Sequence, residues 1–112
     1  MDNDLYQQIE ALRKKLDIAV SSLRKTGQDM AEKERKYRVT YTAETLKLRD
    51  QGMPVTLIAN IVPGLQSVAD AKFDYVVAES MYAANQDAIN SFKLQLRLLD
   101  AQLTREYGIG GI

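Results

Sequence analysis

Apolar residues recur at steps of three and four along the first half of the chain. This spacing places one apolar seam along a helix, in the heptad manner typical of paired helices. The pattern predicts one long helix over about residues 4–51. Its seam residues are Leu5, Ile9, Leu12, Leu16, Ala19, Leu23 and Met30, and the seam can continue through Tyr37, Tyr41, Leu46 and Leu48.

Gly27 leaves an alternative open for this first helix. Thr26 and Asp29 have the spacing of a capping box, so a new helix could begin there. A glycine inside a continuous helix costs only about 1 kcal/mol relative to alanine. The sequence favours the continuous helix over the break.

The second half of the chain carries a longer and more regular seam. No glycine or proline interrupts it between Ser67 and Gly108, so we expect a helix over about residues 67–107. Asn85 lies in the seam, where it either fixes the register of the helices or faces water at the seam's edge. The seam residues are Val68, Ala71, Tyr75, Ala78, Tyr82, Asn85, Ile89, Phe92, Leu96, Leu99 and Leu103.

The segment RDQGMPVTLIANIVPGLQ, residues 49–66, separates the two long helices. Gly52 suits the left-handed position that ends a helix, and Pro54 suits the first turn of a short helix over about residues 54–62. Ser67 and Asp70 then have the spacing of a capping box. The apolar side chains of the short helix either close the end of the helix pair or bind a partner protein. The candidate partner-binding residues are Val55, Leu57, Ile58, Ile61 and Val62.

The third helix has a second apolar stripe beside its seam, which one antiparallel neighbour cannot cover. The predicted fold is all-α, a single domain over residues 1–112. It is a long antiparallel helical hairpin or coiled coil with a short helix at the reversal, dimerising into a four-helix bundle. The alternative is a monomer whose first helix folds back at Gly27. The predicted self-association residues are Phe73, Val77, Met81, Ala84, Asn85 and Ala88.

The composition removes several kinds of chemistry. The chain has no Cys and no His, and 15 basic residues balance 15 acidic ones. Cysteine nucleophiles, disulfides and histidine general bases are therefore excluded. Asp70 and Asp74 lie one turn apart, but acids near a helix start are ordinarily solvated charges. We expect a non-enzymatic protein without a metal or cofactor.

A basic passage in the first helix offers a nucleic-acid alternative. Cations interleaved with aromatic rings can grip phosphates and stack on bases. Glu32 and Glu34 dilute the passage, and so does the zero net charge. The alternative reading is a solvated helix face. The candidate nucleic-acid-binding residues are Lys33, Arg35, Lys36, Tyr37 and Arg38.

The two ends of the chain and its apolar stretches bear on location. The start, MDNDLYQQ, is acidic and polar, unlike a secretory signal. The longest apolar passage, residues 54–65, is too short to span a bilayer. We expect a cytosolic protein with no membrane contact and a flexible glycine-rich tail over residues 108–112.

Three passages together carry a family resemblance: LKLRDQGMPVTLI at 46–58, AESMYAANQDAIN at 78–90 and LRLLDAQLTREYG at 96–108. They resemble small helical proteins encoded in the early region of phages and prophages of Gram-positive bacteria, near recombination genes. The resemblance implies a phage accessory factor in the bacterial host cytosol. It would bind a host defence or replication protein or, alternatively, act on nucleic acid in recombination or replication.

Overall fold

A computed structural model describes residues 2–107 of the chain. Helix α1 spans Asp2–Asp50, α2 spans Val55–Ile61, a 3₁₀ turn covers Val62–Gly64, and α3 spans Gln66–Tyr107. No strand occurs within these residues. The predicted all-α class and long helix pair are confirmed, whereas the tail predicted at residues 108–112 lies outside the described residues.

The contacts along the chain define two compact units. The first unit combines the chain up to Lys25 with the chain from Ala83 onward, and the second comprises Thr26–Tyr82. In both units a stretch of α1 packs against a stretch of α3. The single domain over residues 1–112 stays a prediction.

Helix α1 continues through Gly27, so no helix begins at the Thr26 capping-box spacing. A Cβ atom added at Gly27 would lie 3.4 Å from Cε2 of Tyr82. This is an ordinary contact distance, so the packing of Tyr82 leaves space for a methyl group at this position. The glycine is tolerated in the helix interior, where it costs about 1 kcal/mol relative to alanine.

Gly52 ends α1 in the left-handed conformation, with a φ of 83°. Its N–H donates to the carbonyl oxygen of Arg49 at 3.0 Å, and the N–H of Met53 donates to that of Leu48 at 3.2 Å. This pair of bonds is a Schellman motif, which satisfies carbonyls that the helix end leaves free. Met53 and Leu48 both pack on the same core cluster. The predicted role of Gly52 is confirmed.

Pro54 was predicted in the first turn of the short helix, but it lies one position before that helix begins. It is the residue before α2, in an extended conformation (φ −59°, ψ 142°), and its carbonyl accepts the N–H of Leu57 and of Ile58. The helix ends at Ile61, and the 3₁₀ turn containing Pro63 begins at Val62. The short helix is therefore seven residues long.

The predicted cap at Ser67 is wrong. Helix α3 already begins at Gln66, preceded by Leu65 in an extended conformation. The hydroxyl of Ser67 instead lies 3.4 Å from Oε1 of Glu44 on α1, and Asp70 accepts a hydrogen bond from the amide of Gln66. Leu65 takes the position before the helix because its side chain packs on the core.

The core of the second unit closes the reversal of the chain. Ile58, Val62 and Val68 form a buried cluster in which Val62 is fully enclosed. Burial of such side chains stabilises a fold by about 1.5–3 kcal/mol each. The partly buried residues around the cluster are Tyr37, Tyr41, Leu48, Met53 and Leu65.

The first unit is held by Leu5, Ile9 and Ala19 on α1 and by Ile89 on α3, all buried. Asn85 is half-buried, and its Nδ2 donates to the carbonyl oxygen of Ala19 at 2.8 Å. Asn85 thus bonds to the facing helix of its own chain instead of facing water. Its predicted part in self-association is untested, but this donor is already engaged.

The predicted seams agree with burial at nearly every position. Every predicted seam residue of α3 is buried or half-buried. On α1 the exception is Leu46, whose side chain is half exposed. The seven-residue step continues through the half-buried Tyr41, Glu44 and Leu48, and Leu46, five residues after Tyr41, lies outside it.

Candidate interaction surfaces

The predicted partner-binding residues lie in α2 and in the 3₁₀ turn that follows it, and they divide into buried and exposed positions. Ile58 and Val62 are core residues, and Ile61 is half-buried. Val55 and Leu57 face outward, with 75% and 45% of their surface exposed. Only these two outward side chains are available to a partner protein, because the inner side of α2 closes the end of the helix pair.

The second stripe of α3 is exposed within the second unit. Phe73, Val77 and Met81 expose 68%, 44% and 59% of their surface. They follow one another at steps of four, so they form one continuous apolar strip on the helix. We call these three residues the α3 stripe. In the first unit, Ala84 is exposed and Ala88 is half-buried.

Helix α1 has an apolar face of its own in the second unit, which we call the α1 patch. It consists of Val39, Ala43 and Leu46, all exposed. With Arg38 and Thr42 they line a shallow groove of about 410 Å³. Val39 was visible in the sequence as an apolar residue outside the seam, but Leu46 was assigned to the seam. The patch as a surface was therefore missed.

The first unit has a separate shallow groove of about 400 Å³, formed by α1 and α3. Exposed apolar residues in this unit include Ile18, Val20, Leu94 and Leu98. Amide and ammonium groups border the groove, so its rim is mixed in polarity. The lining residues are Gln8, Ala11, Leu12, Lys15, Gln95, Leu98 and Leu99.

The predicted nucleic-acid-binding residues do not act as one free surface. Lys33 pairs with Asp29 at 3.9 Å, and Arg38 pairs with Glu34 at 3.6 Å. Arg35 and Lys36 are exposed. Two of the four cations therefore have a carboxylate neighbour on their own helix, which lowers the charge offered to a phosphate.

Tyr37 is held inside a cluster of aromatic and charged groups. Its ring stacks on Tyr75 with centroids 6.2 Å apart, and it meets Tyr41 edge-on at 6.1 Å. Nζ of Lys72 lies 5.1 Å from the centre of the same ring. A ring with these neighbours does not offer a free stacking platform for a base.

Two carboxylates surround the hydroxyl of Tyr75 in this cluster. A hydrogen bond with Glu34, partial burial and the negative charges of Glu34 and Glu79 together raise the pKa of Tyr75 to about 12. The hydroxyl also donates to Oε2 of Glu79 at 3.2 Å. The phenol therefore stays protonated well above its ordinary pKa of about 10.

Acidic side chains do not converge on a metal-like site within residues 2–107. No group of three or more such side chains lies close enough to hold an ion in that part of the chain. Asp70, one member of the acid pair considered above, accepts its hydrogen bond from Gln66. Over the same residues, no helix combines the length and apolar character needed to cross a bilayer.

Comparisons with protein-family models, curated proteins and solved structures gave no match to this chain.

Proposed function

We propose that this chain is a non-enzymatic helical interaction module that associates with a second copy of itself. The observation that carries the proposal is the exposed α3 stripe of Phe73, Val77 and Met81. A helix that is apolar on two faces needs two neighbours, and α1 supplies only one. Three adjacent side chains of this size, left in water, favour association.

The energetics of the α3 stripe are compatible with a dimer of moderate affinity. Fully burying such a side chain contributes about 1.5–3 kcal/mol, and these three are 44–68% exposed. The gain counts twice in a symmetric dimer. It must offset an association cost of roughly 4–15 kcal/mol, so we expect dissociation constants in the micromolar range.

The outward side of α2 is the surface we propose for a different protein. Val55 and Leu57 are exposed at the reversal of the chain, next to a rigid core. In keeping with the sequence resemblance, we propose a phage-type accessory role with a host defence or replication protein as the partner. Leu57→Asp is expected to abolish capture of that protein without loss of helicity, as measured by pull-down and circular dichroism.

Self-association is tested with two differently tagged copies expressed together. Met81→Asp in both copies is expected to reduce their co-purification strongly, because the dimer would bury an unpaired carboxylate. Ala83→Asp is the matched control, since the exposed Ala83 lies about 200° further around α3. Equal recovery of both variants would contradict a role for the α3 stripe.

A second candidate is nucleic-acid binding, supported by the exposed cations Arg35, Lys36 and Arg38 on one stretch of α1. The local ion pairs and the occupied Tyr37 ring weigh against it. A mobility-shift assay with single-stranded and duplex DNA separates the candidates. Salt-sensitive binding that is lost in Lys36→Glu would favour nucleic acid.

A further inference from the structure

The helix pair of the second unit has two different flanks. The first flank carries the polar cluster in which Glu34 and Glu79 meet Tyr75, while Lys72 covers Tyr37. Residues two positions further along a helix point about 200° away. Three residues each follow a member of this cluster by two positions, so they lie on the other flank. They are Lys36 after Glu34, Asp74 after Lys72, and Met81 after Glu79.

This second flank also contains Ala43 of the α1 patch, because Thr40 and Ala43 follow Lys36 at steps of four and three. On α3, Val77 lies between Asp74 and Met81 at the same spacing. The contact between Ser67, seven residues before Asp74, and Glu44 lies on this side of the pair. One flank therefore joins exposed apolar side chains with charges of both signs, among them Lys36 on α1 and Asp74 on α3.

Lys36 and Asp74 lie at nearly the same height along the helix pair. The helices are antiparallel, because contacts that ascend along α1 descend along α3. The contacting pairs are Gly27 with Tyr82, Tyr37 with Tyr75, and Glu44 with Ser67. The stacked rings of Tyr37 and Tyr75 show that these two residues lie at the same level along the helix axes. Lys36 and Asp74 are then offset by about 3 Å along the axis.

We propose that the dimer is formed by this second flank around a two-fold axis parallel to the helices, with Lys36 of each copy facing Asp74 of the other. Such an axis keeps heights unchanged and places α1 of one copy against α3 of the other. The inference rests on the self-association proposed above and specifies its surface.

Charge complementarity is the reason to assign a second copy to this flank. Lys36 and Asp74 are both exposed, and neither has a salt bridge among the ion pairs of residues 2–107. A uniformly acidic or basic partner would meet a like charge on one of the two helices. A copy of the chain in the proposed orientation meets an opposite charge on both.

The test is a charge-reversal exchange measured by sedimentation velocity. Lys36→Glu alone and Asp74→Lys alone each place like charges across both contacts, so each is expected to weaken the dimer by about tenfold. Mixing the two variants restores an opposite charge at both contacts. The mixture is therefore expected to form heterodimers with close to the original affinity.

Lys72→Glu is the control, since it makes the same charge change on the first flank and is expected to leave dimerisation unchanged. Circular dichroism on each variant checks that it is folded. If the parent chain is dimeric but the single variants dimerise normally, or the mixture does not recover, the proposed interface is wrong. Self-association itself would still stand. A monomeric parent chain overturns both.

Discussion

Shortening Ile58 to alanine is expected to lower the free energy of unfolding by about 3 kcal/mol. The side chain is only 4% exposed and lies against Val62 and Val68, which are closed to solvent. Removing three carbons costs about 2.4 kcal/mol at 0.8 kcal/mol each. The cavity left behind adds to this, within the usual range of about 2–5 kcal/mol for such truncations.

Urea unfolding followed by far-ultraviolet circular dichroism measures this loss. With a slope of about 2 kcal/mol per molar, the midpoint is expected to fall by about 1.5 M. Val55→Ala is the matched control on the same helix, since Val55 is 75% exposed and its truncation is expected to change stability by less than about 0.5 kcal/mol. All samples need the same protein concentration, because association stabilises the folded state.

The comparison distinguishes the two interpretations of α2. If Ile58→Ala and Val55→Ala unfold at the same urea concentration, α2 does not close the helix pair. The side chain of Ile58 would then be available to a partner, as the first interpretation of the sequence allowed.

Three further predictions concern single positions. Gly52→Ala is expected to cost about 1–2 kcal/mol in the same unfolding assay, because its φ of 83° strains any residue with a side chain; an unchanged midpoint would contradict the Schellman end. Gly27→Ala is expected to stabilise the chain by up to about 1 kcal/mol, because the new Cβ meets Tyr82 at an ordinary contact distance of 3.4 Å; a loss of stability would mean that the ring cannot move. In an ultraviolet titration of the tyrosines, the component near pH 12 is expected to vanish in Tyr75→Phe and to move to lower pH in Glu34→Gln. The folded chain holds the Tyr75 proton more tightly than the unfolded chain does. The contribution of this proton to the stability of the fold is therefore complete below about pH 10 and is lost as the pH rises to about 12.

The sequence was sufficient for the parts of the fold that depend on local rules. Periodicity over many turns placed the seams, because each helix repeats the same burial pattern, and Gly52 was recognised from its position after the last seam residue. Ser67 was misjudged because a capping-box spacing does not reveal whether a hydroxyl turns toward Glu44. Leu46 was misjudged because the seam position after Tyr41 is taken by Glu44, a charged residue that the apolar pattern does not reveal.

The candidate surfaces depended on contacts that the sequence does not encode locally. Seven residues of α2 are too few for periodicity to separate the buried Ile58 from the exposed Val55. The occupation of the Tyr37 ring and the matched heights of Lys36 and Asp74 both follow from the pairing register of α1 and α3. That register is a property of the packed helices, so it could not be read from either helix alone.

Light scattering on the unmodified chain at micromolar concentrations tests self-association most directly. The proposal predicts a molar mass that rises with concentration toward twice that of one chain. A mass equal to one chain throughout this range would contradict it, because the exposed stripe of Phe73, Val77 and Met81 would then remain in water.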